Sequence, residues 1–309
     1  MNRLDMYPRI RLDECSNRKW ACHRINISRG AEMNRTSYTF GLRGHDMGTD
    51  FQSMCENGVK NHIKSIQFAM AKTVLDIDFD KIGFDEAVAE KIRKKLIECG
   101  FSVPVLGCYI NPIDEDAERL EQSLRRFEAF IQYASVFGAG VVGTETGIAV
   151  RSDESAYRKK YLQFVRNLER LLEKAEQFGV CIGIEPTRCG AVCSPQVMYQ
   201  IIRDMGSDKI KVILDLSNML AADTVTFQRK ILDDSFELFG DRIQTVHLKD
   251  FNFVDGKKQF AAPCEGMMDI PHLFKLLSGV REKPAIILDK LKLDGYSAAM
   301  ERLEPHCHQ

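Results

Sequence analysis

The sequence predicts an α/β protein, a single (β/α)8 barrel behind an irregular N-terminal extension. Three observations carry this. From residue 37 onward, short apolar runs alternate eight times with amphipathic helical stretches. The runs read apolar on both faces, as strands of a parallel sheet covered by helices do. Eight such units in about 270 residues match the length of a closed barrel of this type. A doubly wound open sheet is the alternative, and it lacks a Gly-rich dinucleotide loop. The glycines of GLRGHDMG do not form G-x-G-x-x-G, and no fitting helix start follows them.

The elements follow in order. YTFGLRGHDM (38–47) is the first run, with a helical stretch near 50–61. SIQFAM (65–70) comes next, then the helical FDEAVAEKIRKKLIECG, which Gly100 closes as a C-cap. VPVLGCYINP (103–112) is the third run, and DAERLEQSLRRFEAFIQYASVFG is its helix. GVVGTETG (140–147) is the fourth, with a helix over about 154–178. GVCIGIEP (179–186) is the fifth; SPQVM opens the next helix, where Ser194 caps and Pro195 suits the first turn. KIKVILDLSN (209–218), IQTVHLKDF (243–251) and PAIILDKL (284–291) complete the eight, with the helix DIPHLFKLLSG joining the last two. The expected division is therefore a polar extension over residues 1–36 and a barrel over 37–305.

Composition bounds the function. The chain has 309 residues, 44% of them hydrophobic, and a formal net charge of −1. A near-neutral chain carries no electrostatic footprint for nucleic acid. No run approaches the roughly 18 apolar residues of a membrane helix. MNRLDMYPRI lacks the apolar stretch of a secretory signal, and the acidic residues of the extension argue against a transit peptide. Ten scattered cysteines read as reduced thiols in a cytoplasmic protein. Cys189 and Cys193 form C-x3-C, but no second pair completes a four-ligand zinc site. A small-molecule partner is expected, without nucleic acid or membrane, and a homo-oligomer is left open.

A parallel barrel delivers the last side chains of all its strands to one face. The endings here are Arg43, Gly44, His45 and Asp46; Cys108, Tyr109 and Asn111; Thr144, Glu145 and Thr146; Glu185; Asp215 with Asn218; His247 and Lys249; and Asp289. Glu185, Asp215, His247 and Asp289 each follow an apolar run, at intervals of 30, 32 and 42 residues. Three anions and an imidazole buried together repel and dehydrate one another unless a cation joins them. The mixed O/N set suits Mn²⁺, Mg²⁺, Co²⁺ or Zn²⁺, and its oxygen-rich balance favours Mn²⁺ or Mg²⁺. Each residue also has a plainer reading: Glu185 a strand end at solvent, Asp215 a cap on the turn through Asn218, His247 a satisfied strand-end histidine. Lys249 and Asp250 read as a solvated pair, His45 and Asp46 as a structural one, and Asp289 as part of a charged exit with Lys290, Lys292 and Asp294.

IGIEP, ILDLSN, VHLKDF and EGMMDIPHLF resemble the xylose isomerase-like TIM barrel proteins, specifically the sugar phosphate isomerase/epimerase group. The resemblance spans roughly residues 38–300 and implies one divalent metal on the strand-5 Glu, strand-6 Asp, strand-7 His and strand-8 carboxylate. Those positions are Glu185, Asp215, His247 and Asp289. It further implies Glu185 and Asp289 as the acid/base pair. Three departures stand out. Strand 8 ends in Asp rather than Glu, D-x-x-H is D-x-x-Asn218, and G-x-G is Cys264-Glu265-Gly266.

The chemistry so implied is proton transfer beside a carbonyl through a metal-stabilised enediolate on a sugar, sugar phosphate or polyol. His45, Glu145, Asn218 and Lys249 are the expected substrate contacts. Arg43 is the expected bidentate clamp for a phosphate or carboxylate. A dehydratase of the inosose type would use the same ligands, and a non-catalytic sugar-binding barrel would use the same pocket. The apurinic endonuclease branch needs several zinc ions and more histidines than the seven here.

Overall fold

A computed structural model describes residues 38–149 and 151–308. The expected extension over residues 1–36 lies outside them. Eight parallel strands close into a barrel: β1 (Phe40–Arg43), β2 (Ser65–Phe68), β3 (Ser102–Gly107), β4 (Val141–Glu145), β5 (Ile182–Glu185), β6 (Ile210–Leu214), β7 (Ile243–Leu248) and, eighth, β10 (Ala285–Leu288). β10 pairs with β1 on one side and β7 on the other, which seals the cylinder.

Helices follow the strands where the sequence places them, among them Phe51–Lys60, Glu86–Glu98, Ala117–Phe137, Glu154–Phe178, Pro195–Met205 and Ile270–Ser278. Each of these starts on a side chain that accepts a helix N–H: Asp50, Asp85, Asp116, Asp153, Ser194 and Asp269. Such caps satisfy donors that the first turn leaves unpaired. No helix of the described residues is long and apolar enough to cross a membrane.

Val105, Val141 and Ile213 fill the barrel axis. Gly143 and Gly183 lie side by side in register on β4 and β5. A Cβ on Gly143 would sit 2.8 Å from Ile213 Cδ1, and one on Gly183 would sit 3.0 Å from the same atom. The bare backbone at these two positions gives the isoleucine its room, so the interior is packed rather than hollow.

Two local features depart from the sequence reading. β1 is shorter than its apolar run, because Gly44–Asp46 turns as a 3₁₀ segment and Asp46 folds back onto Arg43. After β7 the chain forms an antiparallel hairpin, β8 (Asp250–Val254) and β9 (Lys257–Ala261), which was not expected. Its signal was present: Asp255-Gly256 separates two alternating runs, and both residues adopt positive φ, 51° and 72°, as a type I′ turn requires. The Lys258 ammonium on β9 reaches the carbonyls of Ser217 and Leu220 and ties the hairpin to the segment after β6.

Candidate functional site

Register explains which side chains meet at the C-terminal mouth of the barrel. Leu214 is level with Val246, so Asp215 and His247 share a layer. Glu145 is level with Glu185 on β4 and β5. Leu42, Leu288 and Leu248 are level across β1, β10 and β7. The next residues on those three strands are Arg43, Asp289 and Lys249, a positive–negative–positive row.

Glu185, Asp215 and His247 are 2%, 0% and 2% exposed, and one ligand atom from each lies within 4.8 Å of the others. They are the one group of this kind found among the described residues. Glu185 Oε2 is 3.3 Å from His247 Nδ1 and accepts from the Tyr109 hydroxyl at 3.2 Å. Its Oε1 accepts from Asn218 Nδ2 at 2.6 Å. Asp215 Oδ1 accepts the Asn218 amide at 3.0 Å, so the capping role is real, and Oδ2 lies 2.7 Å from Lys249 Nζ. His247 Nε2 is buried with no hydrogen-bond partner among the described residues.

The residues fit a divalent cation. An orphaned imidazole nitrogen faces a cost of about 1–3 kcal/mol that coordination removes. Ion–ligand distances of about 2.0–2.6 Å allow one ion to bridge atoms so spaced. Counting groups in direct contact, the carboxylates of Glu185, Asp215, Asp289 and Asp46 face two fixed cations, Lys249 and Arg43. With His247 neutral, the deficit is two positive charges, that of one divalent ion.

The proton affinities agree. Burial pushes the Asp215 carboxyl up, despite the pull of Lys249. Burial alone would push the Glu185 carboxyl up and the His247 imidazole down. Their mutual attraction outweighs it, holding the carboxyl low and the imidazole high. A set of anions that attracts a proton to an imidazole attracts a cation by the same field.

Asp289, expected as a fourth ligand, is not among the three residues grouped within 4.8 Å. Its Oδ2 is 2.6 Å from Lys249 Nζ and its Oδ1 is 2.6 Å from Arg43 Nη1. Arg43, expected to clamp a substrate anion, directs Nε and Nη2 to Asp46 at 2.6 and 2.9 Å. Those contacts occupy its forked face. Lys249 and Asp250 are not a solvated pair: they are 5% and 1% exposed. Asp250 accepts the amides of Phe251, Gly266 and Met268, which folds the loop after the hairpin. Gly266 is required there, since a Cβ would fall 2.2 Å from Asp250 Oδ1. Cys264, three positions after Ala261, takes the left-handed φ of 68°.

Asn218 touches Glu185, Asp215 and Lys249 at once. His45 sits at the mouth beside Arg43, with its pKa pushed down to about 4 by burial and by the Arg43 and Lys72 charges. Glu145 is exposed at the rim. Sequence reasoning missed the roles of Tyr109 and Gln67: Gln67 Nε2 donates to the Tyr109 oxygen at 2.9 Å, completing a relay to Glu185. The only sequence signal was a glutamine inside the apolar run SIQFAM.

The chain belongs to the xylose isomerase-like TIM barrel family, whose pattern matches residues 62–305. Among solved structures, a D-tagatose 3-epimerase-like protein superposes with a TM-score of 0.71 at 15% identity, covering 87% of this chain and 97% of that one. The 3-keto-D-glucoside 4-epimerase YcjR from E. coli gives 0.66 at 13% identity, covering 87% and 99%. IolI, solved with a bound zinc atom, gives 0.65 at 14% identity, covering 87% and 96%. No curated protein matches the sequence significantly.

Proposed function

We propose that this protein is a divalent-metal-dependent isomerase or epimerase of a sugar or related polyol. The observation that carries the reading is the buried Glu185–Asp215–His247 cluster with its unpartnered imidazole nitrogen. Glu185, Asp215 and His247 hold the ion, with Mn²⁺ or Mg²⁺ favoured by the oxygen-rich donors and Zn²⁺ or Co²⁺ also compatible. When bound, the ion supplies Lewis-acid stabilisation of charge developing on the substrate's carbonyl oxygen.

Glu185 is the acid/base that takes the proton from the carbon beside the carbonyl. Tyr109 and Asn218 fix its two oxygens, so the carboxylate meets the substrate in one orientation. Lys249 and Asn218 form the floor on which substrate hydroxyls rest, and neutral His45 and Glu145 line the rim. Two of the similar structures are sugar epimerases or epimerase-like proteins by name, which supports the substrate class. The free thiols of the described cysteines support a cytoplasmic setting.

Proton–deuterium exchange tests this. Incubated in D2O with Mn²⁺ and a panel of ketoses, the wild-type protein should label the carbon next to the carbonyl, read by NMR. A polyol dehydratase would show the same first exchange followed by loss of water. Glu185→Gln should reduce exchange by a factor of about 10²–10⁴. Undiminished exchange in that variant removes Glu185 from the role, and absence of exchange in the wild type sinks the reading.

A further inference from the structure

We propose that Asp289 is a positioning counter-ion rather than a metal ligand, leaving the cation three protein ligands. This rests on the divalent-ion reading above and deepens it. Four observations agree. Both Asp289 oxygens lie 2.6 Å from a cationic nitrogen, one on Lys249 and one on Arg43. The ligand-type atoms that gather within 4.8 Å of one another belong to Glu185, Asp215 and His247, without Asp289.

Side-chain length supplies the third: aspartate is one methylene shorter than the glutamate the resemblance implies at strand 8, and it reaches less far. The fourth is charge. Arg43 pairs with Asp289 and Asp46, and Lys249 is shared by Asp289 and Asp215, so the four carboxylates with Glu185 included outnumber the two cations by two. Turning Asp289 onto the ion would strip both buried cations of a partner.

The consequence is an open ion. An oxygen-preferring divalent ion takes about six ligands, so three from the protein leave about three positions for substrate oxygens and water. Lys249, fixed by Asp289 and Asp215, stands beside those positions as a donor to a coordinated hydroxyl. Asp289 has Oδ2 on the Lys249 ammonium and Oδ1 beside the Arg43 guanidinium.

Mn²⁺ titration by calorimetry, with unfolding followed in the same samples, tests the assignment. Asp289→Asn should lose Mn²⁺ affinity by about 10–100-fold, as for an outer partner of the ligands, while Asp215→Asn should leave no measurable binding. If Asp289 acts through Lys249, the Asp289→Asn and Lys249→Met changes should be non-additive in the thermal stability of the metal-free protein. Equal losses of affinity in Asp289→Asn and Asp215→Asn, or a wild-type protein that takes up no Mn²⁺, overturn it. Should Asp289→Asn not fold, a structure of the Mn²⁺-loaded wild type decides. Asp289 oxygens still on Lys249 and Arg43 support the proposal, and one on the ion at about 2.0–2.6 Å overturns it. Mn²⁺ bound as expected with no exchange on any ketose would sink the catalytic reading alone.

Discussion

The two halves of the barrel mouth use similar residues to opposite ends. On β5, β6 and β7, Glu185, Asp215 and His247 crowd together with too little positive charge and an imidazole nitrogen that has no hydrogen-bond partner among the described residues. Across β7, β10 and β1, Lys249, Asp289, Arg43 and Asp46 form a connected row of ion pairs, which Lys249 extends to Asp215. Both halves end strands of the same sheet; the first is fully buried, and Arg43 and Asp46 of the second are partly so. The difference teaches that carboxylate content alone is a poor guide; it is the half with excess negative charge that fits a cation.

Breaking the balanced half should cost most. Arg43→Met leaves Asp46 and Asp289 short of a cation, and removal of one partner from a buried pair costs about 3–5 kcal/mol. With 13% of the arginine side chain exposed, we expect about 3 kcal/mol, read by urea denaturation; a loss near zero would mean that water, not Arg43, neutralises that side.

The unbalanced half should respond with the opposite sign. Asp215→Asn removes an anion that burial already disfavours, so the metal-free variant should unfold at a higher urea concentration than wild type. A drop in metal-free stability comparable to that of Arg43→Met would erase the contrast between the halves.

The smallest effect concerns His45, at the border of the neutral half. Its pKa falls from 6.5 to about 4 in the folded protein, so the unfolded chain takes up the proton first. The stability from its neutral form is therefore complete above pH 6.5 and is lost as pH falls toward 4. His45→Gln should flatten that part of the stability–pH curve; an unchanged slope would place the titration elsewhere.

Much of this was legible before any coordinates. The eight strands show because each is apolar on both faces, and Glu185, Asp215 and His247 show because each interrupts such a run. What stayed hidden depends on neighbours across strands. The row Arg43–Asp289–Lys249 is written as Leu-Arg, Leu-Asp and Leu-Lys at three strand ends, but only the register that levels Leu42, Leu288 and Leu248 turns those endings into one ion-pair ladder. Tyr109 and Gln67 were equally opaque, since a hydrogen bond spanning 42 residues leaves no local pattern. The hairpin, by contrast, has a local signal, Asp255-Gly256 between two alternating runs, that sits directly behind the longer apolar run of β7.

The axis beneath the mouth is plugged by Val105, Val141 and Ile213. Solid packing there leaves the strand-end side chains to be met only from the side where the strands finish.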